Sequence, residues 1–289
     1  MWLTYASFYL GRTNYGVAQP GLLAEGGLNK TQAGAIASAM LAAYALGQFV
    51  NGSLGERFGA RRMIFAGLVG SALADLCFSF GSGPAALAAI WGCNGFCQST
   101  GWPLAIRTMG RWFSSKERGT VMGLWGTSYQ VGNALSWLLA GAVFAAWGWR
   151  WVFRWPALFM AAAAVWFFLK IRETPEEAGL PGPSPIPSGP DAEGPLASFM
   201  QVLASPAIWV LAVAYAGLGF VRYGFLNWSI TYVVEKTNAS VSQATFNMLL
   251  LPLAGAVGAW PMMPVGAKSA EEKIMAALAY AWPAVFCAV

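Results

Sequence analysis

Tyr5-Ala6-Ser7-Phe8-Tyr9-Leu10-Gly11-Arg12-Thr13-Asn14-Tyr15-Gly16-Val17-Ala18-Gln19 sets one arginine inside a run that is otherwise uncharged from Met1 to Leu23. The run reads as a membrane helix. An arginine near the bilayer centre costs between ~3 and ~17 kcal/mol, so it faces a protein interior or a wet cavity. The eleven residues before it span about 16 Å as helix. That reaches from a membrane edge to the midplane of a ~30 Å core. On a helix Tyr5, Tyr9, Arg12 and Gln19 fall near one face and form a single polar stripe.

The pattern returns. Tyr5-Ala6-x5-Arg12 reappears as Tyr215-Ala216-x5-Arg222, inside the apolar run Pro206 to Val234. Two such helices suggest a duplicated bundle with one arginine from each half. A substrate site between two repeats at mid-membrane is a common way to build a carrier.

Composition agrees. Of 289 residues 57% are hydrophobic and 10% charged, against about 25% charged in a soluble domain. The chain reads as an all-α polytopic membrane protein whose partners are the lipid bilayer and a small anionic solute. With no histidine, metal sites and acid–base schemes built on imidazole are excluded. No cofactor, metal or enzyme activity is expected: no nucleophile–base pair, metal cluster or nucleotide loop is visible. Cys77, Cys93, Cys97 and Cys287 are the four cysteines, and Cys93 and Cys97, one turn apart, read as small packing residues.

Further spans follow in order. The second, about Ala33 to Gly52 after a cap at Asn29 or Thr31, carries Ala35, Ala39, Ala43 and Gly47 at every fourth position, a stripe that lets helices approach closely. Beside it Tyr44, Gln48 and Asn51 form a polar face, for interhelical bonding or for lining a cavity. A charged turn precedes the third span, about Met63 to Phe80, which contains Asp75. That carboxyl either stays protonated and serves proton coupling or touches water near the outer end; the second reading is preferred. The fourth span, about Ala85 to Ile106, puts Asn94, Gln98 and Trp102 on one face. The fifth, about Thr120 to Ala146, aligns Trp125, Tyr129, Gly132 and Ser136. The sixth, about Trp151 to Leu169, looks lipid-facing. Residues 172–197 are a Pro- and Gly-rich linker. The seventh span holds Arg222, and the eighth runs from about Gln243 to Met263.

Charge placement sets the orientation. Arg57, Arg61, Arg62, Arg107, Arg111, Lys116, Arg118, Lys170 and Arg172 fall on one side, against Lys30, Arg150, Arg154 and Lys236 on the other. The positive-inside rule then puts the N-terminus and the linker in the cytoplasm, in a bacterial inner membrane. The net charge of +5 is a topology signal, and no nucleic-acid partner is inferred.

Gly52-x3-Glu56-Arg57-x-Gly59-x-Arg61-Arg62 resembles the signature loop of the major facilitator superfamily. Within it the chain resembles the organophosphate:phosphate antiporters. The matching pieces are Arg12-Thr-Asn14, Gln98-x2-Gly101-Trp102-Pro103-x3-Arg107, Lys116-Glu117-Arg118-Gly119, Glu173-Thr-Pro175 and Arg222-Tyr-Gly224-x-Leu-x-Trp228. The resemblance implies that Arg12 and Arg222 bind a substrate phosphate. It also implies that Tyr5, Tyr9, Tyr44 and Trp125 line the cavity. Gln48 stands where the glycerol-phosphate carrier has a lysine, and Tyr129 where it has a histidine. Both changes remove positive charge and leave room for a carboxylate.

The resulting expectation is a major facilitator fold in three parts: 1–171 an N-terminal six-helix bundle, 172–197 the linker, and 198–289 an incomplete C-terminal bundle. The resembled family has twelve spans, and residues 274–289 give only ~24 Å of helix. The chain therefore reads as truncated or frameshifted, and a full-length version is expected to be monomeric. Arg12, Arg222, Tyr5, Tyr9, Tyr44, Gln48, Gln98, Trp125 and Tyr129 are the expected substrate contacts. A proton-coupled symporter, a phosphorylated-sugar sensor and an inactive fragment are the alternatives.

Overall fold

The structure, a computed structural model, describes residues 1–182, 203–250 and 252–253. Among these residues every regular element is helical. α1 (Trp2–Leu10) and α2 (Asn14–Ala24) make the first span, and α3 (Lys30–Phe58) and α4 (Ala60–Phe80) the next two. α5 (Pro84–Gln98) and α6 (Gly101–Trp112) follow, then α7 (Ser115–Trp147) and α8 (Trp151–Lys170). A 3-10 turn at Glu176–Ala178 precedes α9 (Pro206–Thr237) and α10 (Val241–Met248). α3, α4, α8 and α9 are each long and apolar enough to cross a membrane. The eighth expected span begins at α10, and most of it, with 274–289 and Cys287, lies outside the described residues.

Two expected continuous spans are broken. The first helix is interrupted at Gly11–Thr13 and the fourth at Ser99–Thr100. Pro103 explains the second break: it has no N–H to give to the carbonyl of Ser99. There Ser99 Oγ and Thr100 Oγ1 donate back to the carbonyls of Phe96 (2.7 Å) and Cys97 (2.9 Å). The first break has partners from other helices, described below.

Helix starts follow their caps. Asn29 begins α3: its Oδ1 accepts from Gln32 N (2.9 Å) and Gln32 Oε1 accepts from Asn29 N (3.0 Å). Ser114 begins α7 in the same way with Glu117 (3.0 Å). The Ser114 hydroxyl and N–H hold the Glu117 carboxyl below the usual range.

Small residues let the helices meet. α3 packs on α5: a Cβ on Gly47 would come within 2.2 Å of Ser99 Oγ, and one on Gly95 within 2.1 Å of the Met40 carbonyl. Ala39 and Ala43 of the expected stripe lie opposite Gly92, whereas Ala35 is exposed. Of the two cysteines expected to pack between helices, half-buried Cys97 sets its Sγ over Gly70, whereas Cys93 is exposed. α8 is one-sided. It buries Phe153, Ala157, Met160, Ala164 and Phe167 and leaves Leu158, Val165 and Leu169 outward.

Besides a small cluster of Ala72, Ala157 and Met160, the core among the described residues has two large apolar clusters. One, around Tyr15, Phe78, Trp91, Trp137 and Phe153, lies toward the end where α7 meets α8 at Gly148. The other, around Tyr5, Phe8, Ile64, Leu104 and Phe167, lies toward the α3–α4 turn at Gly59. Arg12, Asn14, Ser71, Asp75, Asn94 and Gln98 are buried polar residues of the same helices. The preferred expectation that Asp75 touches water is corrected here: it has no exposed surface. Its position on α4 turns it inward between α5, α8 and the break in the first helix.

The start of the linker is docked. Arg111 pairs with Glu173 at 2.5 Å, and Trp112 Nε1 donates to the carbonyl of Arg172 at 3.2 Å. Gly59, at φ +85°, ends α3, and a Cβ there would come within 2.7 Å of Glu173. Gly59→Ala is expected to destabilise the fold by about 1–3 kcal/mol, because the backbone conformation is nearly glycine-only. Gly52→Ala, with open space at its Cβ position, is the near-neutral control. Thermal unfolding of the two purified variants in one detergent reads the difference.

Candidate functional site

The first span breaks at its arginine because other helices compete for its carbonyls. Gln98 Nε2 donates to the carbonyls of Phe8 (2.9 Å) and Gly11 (3.1 Å). Asn94 Nδ2 donates to Gly11 O at 2.8 Å, and Ser136 Oγ to Leu10 O at 3.3 Å. Side chains inserted into a helical ladder are a known cause of kinks. Gly11 has no room for a side chain: a Cβ would come within 2.3 Å of Met160 and 2.4 Å of Asp75.

The break aims Arg12. The guanidinium is 6% exposed, and its Nε donates to Gln98 Oε1 at 2.8 Å. It lies over the rings of Tyr9 (4.8 Å) and Tyr44 (4.5 Å). One terminal nitrogen has no hydrogen-bond partner, and no carboxylate pairs with the group among the described residues. Stacking between rings is worth up to about 2 kcal/mol when desolvated and leaves the donor fork free for an anion.

Arg222, half-buried on α9, lies over the ring of Tyr129 at 4.8 Å. The rings of Tyr9 and Tyr129 are 5.9 Å apart, so the two arginines flank one tyrosine pair. Tyr9 and Tyr223 lie near both guanidiniums. Tyr223 was missed by the sequence reading, although its place beside Arg222 was the available signal.

The other expected residues divide into roles. Tyr5 is 3% exposed and sits among Tyr9, Trp102 and Trp125, with ring centroids at 5.7, 5.5 and 4.9 Å. Trp125 stacks on Trp102 at 4.6 Å. These residues form the wall of the site behind Tyr9. The α7 stripe runs along α1: Trp125 meets Tyr5, Tyr129 meets Tyr9, Gly132 approaches the Ala6 backbone, and Ser136 bonds Leu10. Gln98 has no exposed surface and acts as the anchor that aims Arg12. Of the α3 polar face, Tyr44 reaches Arg12. Gln48 is half-buried one turn on. Asn51 bonds Ser99 Oγ at 2.7 Å between helices.

The signature loop is away from this centre. Glu56 faces Arg107 at 4.0 Å. Arg61 Nε donates to the carbonyl of Phe168 at 3.0 Å and covers its ring at 4.6 Å. Arg57 lies over Phe58, and Arg62 is exposed. Of the two loop glycines, Gly59 is required by its backbone and Gly52 is not. The loop ties α3, α4 and α8 together rather than touching the arginines.

Toward the Gly148 end the site is closed by a seam between α2 and α9. Thr231 Oγ1 donates to Gln19 Oε1 at 3.1 Å, and Lys30 pairs with Glu235 at 2.7 Å. A Cβ on Gly16 would come within 2.4 Å of the Leu226 carbonyl. The opposite half of α9 is exposed, with Tyr215 at 74%, unlike its buried counterpart Tyr5.

Comparison with known proteins bears on this arrangement. The sequence profile described as Major Facilitator Superfamily matches residues 1–289. A "Probable hexose phosphate transport protein" of Chlamydia pneumoniae is 28% identical over 277 residues, covering 89% of this chain and 61% of the relative. "Membrane sensor protein UhpC" of Salmonella typhimurium is 29% identical over 269 residues, covering 90% and 61%. The chain thus spans about three fifths of the length of these relatives. Among solved structures, a bacterial homologue of the human lysosomal transporter Spinster, inward-facing and unoccupied, superposes with a TM-score of 0.73 at 19% identity. It covers 89% of this chain and 59% of that one, and the likeness is one of fold.

Proposed function

Because the chain belongs to the Major Facilitator Superfamily, we propose that it is a secondary carrier of small phosphorylated organic anions, exchanged for inorganic phosphate by alternating access. One observation carries the reading: Arg12 and Arg222, from the first and seventh spans, flank the Tyr9–Tyr129 pair with no carboxylate to neutralise them among the described residues. A planar guanidinium matches phosphate with two parallel bonds. The name of the chlamydial relative supports a phosphate ester over a carboxylate.

The cycle follows from charge. With the site empty, two like charges resist closure. A bound dianion neutralises both and draws the halves together, and the empty site reorients poorly, which favours exchange over net flow. Tyr5, Tyr9, Tyr44 and Gln48 supply neutral contacts, and Gln98 positions Arg12. The proposed layout keeps 1–171 as one bundle, 172–197 as the linker and 198–289 as part of a second bundle. The Gly59 end faces the cytoplasm of an inner membrane, and the carrier works as a monomer.

Proteoliposomes loaded with phosphate test the reading by counterflow of labelled phosphate and by glucose 6-phosphate exchange. Counterflow that stops when Arg12 or Arg222 is replaced is the expected result. A second reading, a sensor, is favoured by the likeness to the Salmonella sensor, and glucose 6-phosphate binding without any flux would select it.

A further inference from the structure

Asp75 lies against Gly11, the residue before Arg12, and has no role in the exchange cycle just described. Its carboxyl has no exposed surface, and Oδ2, against the backbone of Gly11, has no hydrogen-bond partner. Oδ1 has one weak contact, Asn94 Nδ2 at 3.5 Å. Asn14, the first residue of α2, faces the carboxyl. Asn14 gives its Nδ2 to the carbonyl of Val152 at 3.2 Å, and its Oδ1 also lacks a partner. Asp75 Oδ2 and Asn14 Oδ1 are thus two buried acceptors without a donor, and a proton on Asp75 supplies a hydrogen where an ionised carboxyl would depend on Asn14.

No neighbour offers a countercharge instead. The titratable and charged groups on the surrounding elements are Arg12 at the break, Tyr15 of α2, Cys93 and Cys97 of α5, and Arg150 and Arg154 of α8. Tyr44 is the group on α3, whose charges lie near its ends, and Arg107 and Arg111 stand at the Gly59 end of α6. Among the described residues none forms an ion pair with Asp75. Arg154 spends its Nε on Ser79, one turn nearer the Gly148 end, at 3.2 Å, and Arg12 spends its Nε on Gln98. An unpaired carboxylate so placed is costly.

A set of hydrogen bonds runs from Asn94, in weak contact with this carboxyl, to the anion site. Asn94, beside Asp75, accepts from Ser71 Oγ at 2.6 Å. Ser71 Oγ accepts from Gln98 Nε2 at 3.0 Å, and Gln98 Oε1 accepts from Arg12 Nε at 2.8 Å. We propose that Asp75 is a proton-binding site that holds its proton in this conformation, and that this proton is linked to anion binding at Arg12 through Asn14 and the Asn94–Ser71–Gln98 set. The linkage rests on the anion-carrier reading; the protonated carboxyl does not. Release of the proton to water leaves two acceptors without a donor at the break. It also places a negative charge against the residue before Arg12, and both changes oppose an anion. By linkage, the anion holds the proton as strongly as the proton holds the anion.

The test uses the full chain in lipid nanodiscs. Infrared spectra at neutral pH, wild type minus Asp75→Asn, are expected to contain the C=O stretch of a protonated carboxyl that shifts in heavy water. Asp75→Glu should move that band, which covers the case in which the asparagine variant fails to fold. Glucose 6-phosphate binding is then followed from mildly acid to mildly alkaline pH. The ligand's own titration is common to both proteins, so wild-type affinity should fall about tenfold further than that of Asp75→Asn, a modest coupling. Absence of the band, or equal pH slopes, overturns the proposal. If neither protein binds the ester at any pH, the carrier reading and the linkage fall together, and the band alone decides whether Asp75 holds a proton.

Discussion

Glucose 6-phosphate affinity is expected to fall roughly 10- to 100-fold when Arg12 becomes lysine. The loss corresponds to one charged hydrogen bond of about 1.5–3 kcal/mol. Lysine keeps the charge, so any purely electrostatic role would survive the change. It does not keep the geometry. Arg12 uses Nε to hold Gln98 at 2.8 Å and stacks between Tyr9 and Tyr44 while one terminal nitrogen has no partner. An ammonium cannot anchor, stack and present a planar fork together. Arg222→Lys should cost a similar amount, and the double variant less than the product, because both groups serve one anion. Isothermal titration in detergent reads all three. Unchanged affinity in both single variants would remove the paired-arginine site.

Gly16→Leu is expected to open the seam at the Gly148 end. The backbone of α2 approaches α9 so closely here that even a Cβ would stand 2.4 Å from the Leu226 carbonyl, and backbone cannot yield as a flexible side chain does. The nearby Lys30–Glu235 pair is largely exposed, and such a pair contributes about 0–1 kcal/mol, too little to hold the seam against that contact. Cysteines replacing Lys30 and Glu235, in a background cleared of Cys77, Cys93, Cys97 and Cys287, should cross-link readily with Gly16 present. With Gly16→Leu the cross-link should be mostly lost. Equal cross-linking would mean that the close approach does not control the seam.

The amino-acid pattern carried the fold further than the site. Helix positions followed from apolar runs and from the cap at Asn29, which closes its box with Gln32. The Trp125–Tyr129–Gly132–Ser136 stripe was legible because four helical positions on one face present one continuous surface, which runs along α1. The breaks were not legible. A ladder fails when outside groups outbid it, and those of the first span, Asn94, Gln98 and Ser136, lie about 80 to 125 positions away. Asp75 was misplaced for a related reason. Distance along a helix gives depth in the membrane, but which side is wet depends on its neighbours. Gln98 was placed by the face it shares with Asn94 and Trp102, and its bond to Arg12 Nε came from packing that a single chain does not display.

The interruption at Gly11–Thr13 bears on how the protein is made. This segment leaves the ribosome before its partners, because its midpoint is completed by side chains at positions 94, 98 and 136. Until those are synthesised, a bare guanidinium and several open carbonyls must stay in the aqueous channel of the insertion machinery or among its own helices. The segment is thus translated ahead of the helices that complete it and released into lipid only with them.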